Sequence, residues 1–363
     1  MTTTTNDAST DGPTAEQFAD RMLASVLGAY ECLSVYVGDR LGWYRSLAAE
    51  GPATPAELAE RTGTHERYAR EWLEQQAVVG ILTTDPADAQ RRYVLPDGAA
   101  EVLTDEHSLA YLGPMPRLVA GPGGKLPALL EAFRQGGGVS WDDLGADGRE
   151  SQADLNRPWF AGPLAAALSS LPEVNDVLAR PGARIADVGC GGGWSSIGLA
   201  RAYPDAIVEG FDVDSPSIEM ARANAHAAGL SDRVSFHVAD GATLAADDTF
   251  DAAFAFECLH DMSNPVEVLA SIRRAVKGDG LVIVMDEAVA EEFTAPGDDL
   301  ERLMYGFSLF ICLPDGMSSE PSAATGTVMR PATLAAYGRQ AGFDRLEILP
   351  IEDFGFFRFY RLH

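Results

Sequence analysis

The feature that most constrains the fold is a regular alternation of short apolar segments with helical segments, which begins near residue 183. The apolar segments, each short enough for one buried strand, are residues 185–188, 207–212, 234–238, 250–256 and 280–286. Helical patterns separate several of them, at residues 195–202, 216–228 and 264–276. Near-continuous apolar strands that alternate with helices are typical of a parallel sheet covered on both faces. The sequence therefore predicts an α/β domain in the C-terminal half.

A glycine-rich segment, DVGCGGG at residues 187–193, follows the first strand of this predicted sheet. Open α/β sheets bind ligands at the carboxyl ends of their strands, and glycines there let the backbone approach the ligand closely. A dinucleotide site would place a third glycine where Trp194 stands, and no Gly-Lys-Ser/Thr segment for a nucleoside triphosphate is present. The segment therefore indicates a different ligand, with a tight turn that binds nothing as the alternative.

Carboxylates end the next two predicted strands. Asp212 ends the second strand, where a carboxylate can accept hydrogen bonds from both hydroxyls of a ribose. Asp240 follows the third strand, where an acid can reach an adenine amino group, although a lone Asp at such a point more often caps a loop. Asp214 or Ser215 is predicted as the N-cap of the following helix. Together with the glycine-rich segment, these acids favour a cofactor that contains a nucleoside.

These residues resemble the successive motifs of class I S-adenosylmethionine-dependent methyltransferases, and the resemblance covers residues 181–363. It implies a Rossmann-like sheet of seven strands whose last strand inserts antiparallel, and residues 348–351 and 356–362 fit its terminal hairpin. It also implies S-adenosyl-L-methionine as the cofactor and S-adenosyl-L-homocysteine as the product. The implied cofactor-binding residues are Asp187, Gly189, Cys190, Gly191, Gly193, Asp212, Val213, Asp240, Gly241 and Glu257.

The segment LHDMS at residues 259–263 resembles the LHDWSD segment of small-molecule O-methyltransferases. The catalytic histidine of that family matches His260, and an imidazole with a pKa of roughly 6.5 can take a hydroxyl proton near neutral pH. A histidine that caps a helix or bonds to the backbone is the alternative. Asp261 is predicted as an acid at the start of the next helix. Met262 and Asn264 replace a Trp and an acid of the family pattern, which leaves the acceptor class open.

Further acidic and apolar residues are candidates for contact with the acceptor. One of the two acids that end the fifth strand would correspond to the family's acid that orients the histidine, and the residues do not decide between them. A carboxylate that only ends the strand is the alternative. Residues 303–310 form an apolar, helix-like run whose aromatic and Met side chains suit a planar acceptor but are equally typical of a core. The candidate substrate residues are Tyr111, Trp141, Met304, Tyr305, Asp286 and Glu287.

The N-terminal half follows a different pattern. Residues 1–14 are predicted to be a disordered tail, because they contain almost nothing to bury. Residues 15–120 follow the order helix, turn, helix and hairpin of a winged helix, and residues 121–180 are predicted as connecting helices that roof the cleft. Within the latter, residues 138–141 are predicted as a loop and residues 152–178 as one helix. A module of this kind before the methyltransferase domain, residues 181–363, is similar to the arrangement in small-molecule O-methyltransferases. The resemblance implies that this module forms a homodimer.

The charge of the chain argues against nucleic acid as a partner. The formal net charge is −27, and residues 40–106 contain seven Arg, no Lys and twelve acidic residues. A winged helix that binds DNA needs a basic face, and an acidic surface repels anionic membranes. No apolar run reaches the roughly 18 residues of a membrane span. The four cysteines and six histidines show no metal-ligand spacing, so we expect reduced thiols, a cytoplasmic location and no metal.

The sequence therefore predicts an enzyme that transfers a methyl group from S-adenosylmethionine to a small, hydroxyl- or phenol-bearing metabolite by SN2 displacement. Two alternatives remain at this point. One is a winged-helix transcriptional regulator that senses S-adenosylmethionine, and the other is a methyltransferase-like fold that catalyses different chemistry. The residues identify neither the acceptor nor the atom, oxygen, nitrogen or carbon, that would receive the methyl group.

Overall fold

The computed structural model describes residues 12–84, 87, 90–244 and 248–363. It divides the chain into two compact units, Met1–Thr104 and Asp105–His363. This division falls earlier than the boundary predicted after residue 120. Residues 1–11 of the predicted tail lie outside the described residues, as does most of the turn predicted between the two strands of the N-terminal hairpin.

The first unit follows the order helix, turn, helix and hairpin. Its elements are α1 (Ala15–Arg40), α2 (Trp43–Glu50), α3 (Pro55–Thr62), α4 (Glu66–Val78), the antiparallel strands β1 (Thr83–Thr84) and β2 (Tyr93–Val94), and α5 (Asp97–Thr104). Gly42 has a φ of 71° and separates α1 from α2. The Thr54 hydroxyl accepts a hydrogen bond from the Glu57 amide, and the Glu57 carboxylate accepts one from the Thr54 amide, which fixes the start of α3.

The second unit begins with helices that precede its sheet. They are α6 (Arg117–Gly123), α7 (Leu126–Gln135), α8 (Trp141–Ala161), α9 (Pro163–Ser169) and α10 (Pro172–Leu178). The prediction of a loop through Trp141 and of one helix over residues 152–178 was wrong. Ser140 caps α8, with a kink at Gly145, and Gly162 interrupts the helical backbone after it. Among the residues that the structure describes, no helix is long and apolar enough to span a membrane.

A seven-stranded sheet forms the centre of the second unit. Its strands are β3 (Arg184–Val188), β4 (Ile207–Asp212), β5 (Val234–Val238), β6 (Phe250–Phe256), β7 (Val276–Glu287), β8 (Leu346–Ile348) and β9 (Phe357–Leu362). Their order across the sheet is β5-β4-β3-β6-β7-β9-β8, and β9 runs antiparallel to both of its neighbours. The fold class predicted from the sequence, with an inserted antiparallel last strand, is confirmed.

Helices cover both faces of this sheet, and those after its first strand that pack on it are α11 (Trp194–Ala202), α12 (Ser215–Ala227), α13 (Pro265–Ala275) and α16 (Pro331–Gln340). Helices α14 (Asp299–Phe307) and α15 (Leu313–Gly316) lie between β7 and α16 in the chain. Successive strand residues point to opposite faces, so Ile185 and Phe254 pack in one core and Ala186 and Ala253 in the other. Between α14 and α15 the chain forms a short π-helix, Ser308–Cys312, in the run that the sequence predicted as helix-like. Such turns are frequent at functional sites.

Candidate active site

A cavity of about 830 Å³ lies in the second unit, where the carboxyl ends of β3, β4, β5 and β6 meet. The predicted site residues on its wall are Tyr111, Trp141, Gly189, Cys190, Gly191, Asp212, Val213, Asp240, Gly241, Glu257, His260, Glu287 and Met304. Asp187, Gly193 and Asp286 lie behind the wall, and Tyr305 is a partly exposed residue of α14 outside it. The fold therefore brings most of the predicted residues together around one space.

The glycine-rich segment adopts a backbone that glycine alone tolerates well. Gly189, Gly191 and Gly193 have φ values of 74°, 47° and 79°, in the left-handed region. A Cβ on Gly193 would lie 2.7 Å from the Phe236 ring, whereas a Cβ on Gly191 would meet no atom within 4 Å. Gly193 thus packs the segment against the sheet. Gly191 instead lies on the cavity wall and leaves open space beside its Cα atom.

The Asp212 carboxylate holds this segment from the next strand. Its Oδ2 accepts a hydrogen bond from the Gly191 amide at 2.9 Å, and its Oδ1 accepts one from the Asp214 amide at 2.9 Å. Burial raises the pKa of Asp212, while these amides oppose the rise. The sequence predicted Asp214 or Ser215 as the N-cap of α12. Asp214 is the cap, since its carboxylate accepts a hydrogen bond from the Ser217 amide. Asp212 therefore reaches the cavity as a fixed group.

Asp187 supports the glycine-rich segment from beneath it. Its side chain is fully buried, and its Oδ2 accepts hydrogen bonds from the hydroxyls of Ser195 and Ser196, both at 2.6 Å. Its Oδ1 has no hydrogen-bond partner. Burial raises the pKa of Asp187 to about 6, although the two serine hydroxyls act in the opposite direction. Asp187 thus fixes the first turn of α11.

The raised pKa of Asp187 gives a testable pH dependence of stability. A carboxyl that holds its proton more tightly in the folded state destabilises the fold once the pH exceeds its folded pKa, and the effect disappears below its unfolded value. Asp187→Asn keeps the acceptor for the two hydroxyls and removes the buried charge. We expect it to raise the free energy of unfolding at pH 8 by about 2 kcal/mol more than at pH 4.5. Urea denaturation at the two pH values measures this difference.

The matched control for this experiment is Asp205→Asn, which removes a charge from an exposed position. It should change the free energy of unfolding by less than about 0.5 kcal/mol at either pH. If Asp187→Asn raises the free energy of unfolding by the same amount at pH 4.5 and at pH 8, the buried charge does not cause the increase.

His260 is held on the cavity wall by a cluster of carboxylates, and only 2% of its surface is exposed. Its Nδ1 lies 3.0 and 3.1 Å from the two carboxylate oxygens of Asp286. Glu287 Oε2 lies 3.4 Å from the same nitrogen, and Asp261 Oδ1 lies 3.4 Å from Nε2. Of the two acids that end β7, Asp286 makes the closer contacts and lies in position to orient the ring.

The structure corrects the prediction for Asp261. Helix α13 begins at Pro265, after Asn264, so Asp261 is not an acid of its first turn. Its Oδ1 atom is buried beside His260 and has no hydrogen-bond partner. The sequence pattern placed the helix start at residue 264 but could not show that the preceding residues turn towards the cavity.

The carboxylates set the protonation of the His260 cluster. Burial acts to lower the pKa of His260, but Asp286, Glu287 and Asp261 outweigh it and raise this pKa well above its ordinary value. Burial acts to raise the pKa of Asp286, and the imidazolium charge overcomes this and lowers it. Burial, reinforced by the charge of Asp286, raises the pKa of Glu287 well above its ordinary range. The carboxylates thus favour the protonated ring, and a cation that enters the cavity would lower the pKa of His260.

Helix α8 contributes polar residues that the sequence analysis missed. The Glu257 carboxylate, on a residue with a φ of 48°, accepts hydrogen bonds from the side-chain amides of Gln152 and Asn156. Burial raises the pKa of Glu257 to about 7. Arg149 donates from Nε and Nη2 to the carboxylate of Asp214, at 2.6 and 2.8 Å. No local sequence motif marks these residues, because their partners lie 65 to 105 positions away.

Among the residues that the structure describes, two groups of side chains could hold a metal ion by the positions of their ligand atoms. They are His260 with Asp261 and Cys312, and His260 with Asp286 and Glu287, and in each group the ligand atoms lie within 4.8 Å of one another. Asp286 already accepts the hydrogen bond at His260 Nδ1, which competes with a metal there. The prediction of no metal site stays a prediction.

Comparison with known protein families identifies both parts of the chain. Residues 29–105 match the Rv2258c-like winged HTH domain family, and residues 179–309 match a methyltransferase domain family. The chain therefore combines a winged helix-turn-helix domain with a methyltransferase domain, which confirms the prediction of these two modules.

Two relatives with curated names illustrate how far the similarity extends. Methyltransferase GfsG of Streptomyces halstedii is 37% identical over 137 residues, which are 36% of this chain and 48% of GfsG. The match therefore spans about half the length of that relative. The mitomycin biosynthesis 6-O-methyltransferase of Streptomyces lavendulae is 29% identical over 303 residues, 77% of this chain and 81% of that protein. Similarity to the second relative extends over both modules.

A solved structure supports the same architecture. The human N-acetylserotonin methyltransferase, determined in complex with S-adenosylmethionine, superposes with a TM-score of 0.71 at 16% identity. The superposition covers 97% of this chain and 99% of the human chain. At this level of identity the likeness shows the fold.

Proposed function

We propose that this chain is an S-adenosylmethionine-dependent methyltransferase that transfers the methyl group to a hydroxyl of a small acceptor in secondary metabolism. The observation that carries the proposal is the meeting of two elements on one cavity wall. One is the glycine-rich segment held by Asp212, and the other is His260 backed by Asp286. The methyltransferase domain match, and relatives named as O-methyltransferases, support the reaction class.

The cavity fits S-adenosylmethionine in shape and in charge. The open space beside Gly191 lets the backbone of the glycine-rich segment approach a ligand. The described wall carries eight acidic residues against two basic ones, Arg149 and His260, which suits a ligand with sulfonium and ammonium charges. We assign the ribose to Asp212 and Val213. The other proposed contacts are Asp240 and Gly241 for the adenine, and Gly189, Cys190, Gly191 and Glu257 for the amino acid end.

The residues of the chain would perform the proton transfer around the cofactor. When bound, the cofactor supplies an electrophilic methyl group and a positive charge. That charge lowers the pKa of His260, so the ring can lose the proton at Nε2 and keep the one at Nδ1, which donates to Asp286. The neutral Nε2 would then accept the hydroxyl proton of the acceptor, whose oxygen would bond to the methyl carbon as the methyl–sulfur bond breaks and S-adenosylhomocysteine leaves. Walls that include Trp141, Met304 and Tyr111 would exclude water and align the acceptor.

A direct test incubates the purified full chain with trideuteromethyl-labelled S-adenosylmethionine and a panel of hydroxyaromatic compounds. We expect S-adenosylhomocysteine to form together with a product that carries the labelled methyl group, which mass spectrometry detects. Fragmentation of that product assigns the label to oxygen, nitrogen or carbon. S-adenosylhomocysteine that binds, without transfer to any member of the panel, would favour the alternative of different chemistry on a methyltransferase-like fold.

The first unit is proposed as a dimerisation module. Helix α1 exposes a row of large apolar side chains, each 39 to 66% exposed, in the described part of the chain: Phe18, Met22, Leu23, Val26, Leu27, Tyr30, Leu33 and Val37. An apolar row of this length marks an interaction surface, and a second copy of the chain is the partner that the resemblance implies. Sedimentation equilibrium should then give twice the chain mass of 38.7 kDa. A cytoplasmic location, expected from the reduced thiols, belongs to the same proposal.

A further inference from the structure

Part of the cavity wall is not assigned to the cofactor, and most of this part is apolar. Its side chains come from the segment before α6 and from α6, α8, α14 and the π-helix: Met115, Leu118, Trp141, Leu155, Met304, Phe307 and Ile311. Several of them pack into one cluster, so this wall is formed without a ligand. Apolar and aromatic walls suit a planar ring. The polar groups that interrupt the wall therefore determine which substituents the ring can carry.

Asp315 is one of these polar groups, and the backbone around it is closely packed. It belongs to α15, and its Oδ1 accepts a hydrogen bond from the Trp141 amide at 2.6 Å. The Val139 amide donates to the Pro314 carbonyl at 3.1 Å, and a Cβ on Gly138 would lie 1.8 Å from that carbonyl oxygen. The start of α8 and the segment around residue 315 thus hold each other. This arrangement fixes the Asp315 carboxylate at the cavity wall.

No cation of the cavity wall neutralises Asp315. The two basic residues on the described wall are both engaged, since Arg149 pairs with Asp142 and Asp214, and His260 with its own carboxylates. Asp315 Oδ2 accepts no hydrogen bond from the described residues. Burial, followed by the charge of Asp261, raises the pKa of Asp315 to about 7, as expected for a carboxylate without a counter-ion.

Two further buried oxygens lie beside His260 without a hydrogen bond. Asp261 Oδ1 and Glu287 Oε2 belong to residues of the cavity wall, and neither forms a hydrogen bond. Gly316 lies against the backbone of Asp261, with its Cβ position 3.0 Å from the Asp261 carbonyl oxygen, which places Asp315 next to the His260 segment. Unpartnered buried acceptors cost free energy that a hydrogen-bond donor would recover. His260 is the basic residue of the described wall beside these acids, and three carboxylates already share its charge, so Asp315 has no positively charged donor of its own.

We propose that Asp315 binds a protonated amino group of the acceptor, so that the acceptor is a hydroxyaromatic amine. The proposal rests on the proposed methyl transfer, since it names the substrate class for that reaction. The ring would lie against the apolar wall, its hydroxyl would face His260, and its ammonium group would donate to Asp315 Oδ2. A carboxylated phenol would instead add a negative charge beside Asp315 and Asp261, which excludes it.

Three probes that share one ring and one two-carbon side chain test the charge preference. They are tyramine, which is cationic, tyrosol, which is neutral, and 4-hydroxyphenylacetate, which is anionic. Calorimetric titration of the full chain, saturated with S-adenosylhomocysteine, measures their affinities at pH 8. We expect tyramine to bind about 10-fold or more tightly than tyrosol, because a charge-assisted hydrogen bond exceeds a neutral one by that order. 4-Hydroxyphenylacetate should bind most weakly of the three.

The variant Asp315→Asn separates this site from the general acidity of the chain. It keeps the oxygen that accepts the Trp141 amide and removes the charge. We expect the preference for tyramine over tyrosol to fall to about one, with the affinities for tyrosol and S-adenosylhomocysteine unchanged. Glu292→Gln is the matched control, because it removes one charge from an exposed residue outside the cavity wall. This control should retain the preference of the unaltered chain.

Equal binding of tyramine and tyrosol by the unaltered chain, or binding of neither, would overturn the proposal. A preference that survives in Asp315→Asn would overturn it too. A failure of the proposed methyl transfer would look different, since the chain would then not bind S-adenosylhomocysteine. Titration of the unsaturated chain would still report the preference for tyramine in that case, so the two failures can be told apart.

Discussion

Replacing His260 by Ala is expected to lower turnover by about 10²- to 10⁴-fold, the usual contribution of a positioned general base. The loss follows from removal of the nitrogen that accepts the acceptor's proton, while the glycine-rich segment and Asp212 stay in place. Affinity for S-adenosylhomocysteine should therefore change by less than about 3-fold. Initial rates with a methylated member of the hydroxyaromatic panel, and calorimetry with S-adenosylhomocysteine, measure the two quantities.

The control for this variant is His226→Ala, because His226 is an exposed residue of α12 outside the cavity wall. It should leave both turnover and cofactor affinity unchanged. Asp286→Asn should reproduce much of the His260→Ala loss, since it weakens the group that holds Nδ1. Turnover that persists in His260→Ala would remove His260 from the mechanism, and a parallel loss of cofactor affinity would assign it a structural role.

The pH dependence of kcat/KM for the unaltered chain tests independently whether His260 is the base. The carboxylates around His260 raise its pKa above the ordinary value, and only the neutral ring can accept a proton. The value of kcat/KM should therefore increase with pH through an apparent pKa above about 6.5, rather than decrease. In Asp286→Asn one of these carboxylates is lost, so the midpoint of the increase should move to lower pH. A midpoint that stays in place would show that another group titrates.

The strands that carry the cofactor motifs could be predicted from the sequence because their signals are local. The strands Ile207–Asp212, Val234–Val238 and Phe250–Phe256 match the predicted bounds, since each is a short apolar run with a turn signal at its end. Helix α8 was missed over its first half because Gly145 and a run of polar residues hide its helical period. The period of apolar residues is the main sequence signal for a helix, and a helix without it passes as a loop.

The arrangement inside the cavity depended on contacts that no local pattern contains. Asp286 and Glu287 are neighbours at the end of β7, and the sequence could not show which of them faces the ring of His260. Asp315 meets the Trp141 amide across 174 residues of sequence, so its place on the wall emerged only from the fold. Sequence motifs thus identified the residues near the strand ends. The residues that shift the pKa values of those side chains could be found only from the tertiary structure.

Binding of S-adenosylhomocysteine to the intact chain should be near micromolar, about −8 kcal/mol, and Asp212→Ala should weaken it by about 100-fold or more. The Asp212 carboxylate would lose its contacts with the ribose, and hydrogen bonds to a charged acceptor contribute about 1.5–3 kcal/mol each. The same change removes the acceptor for the Gly191 and Asp214 amides, which loosens the glycine-rich segment. Calorimetric titration of both proteins at one salt concentration measures the difference.

Asp232→Ala is the matched control for this titration, because Asp232 is an exposed acid that lies outside the cavity wall. Asp212→Asn should fall between the control and Asp212→Ala, since one amide oxygen still accepts a hydrogen bond while the charge is gone. If Asp212→Ala binds S-adenosylhomocysteine as tightly as the intact chain does, the assignment of the ribose to Asp212 is wrong. If the intact chain does not bind, the methyltransferase proposal fails. The cavity would then need a cationic ligand of another kind, because its uncompensated carboxylates would still require one.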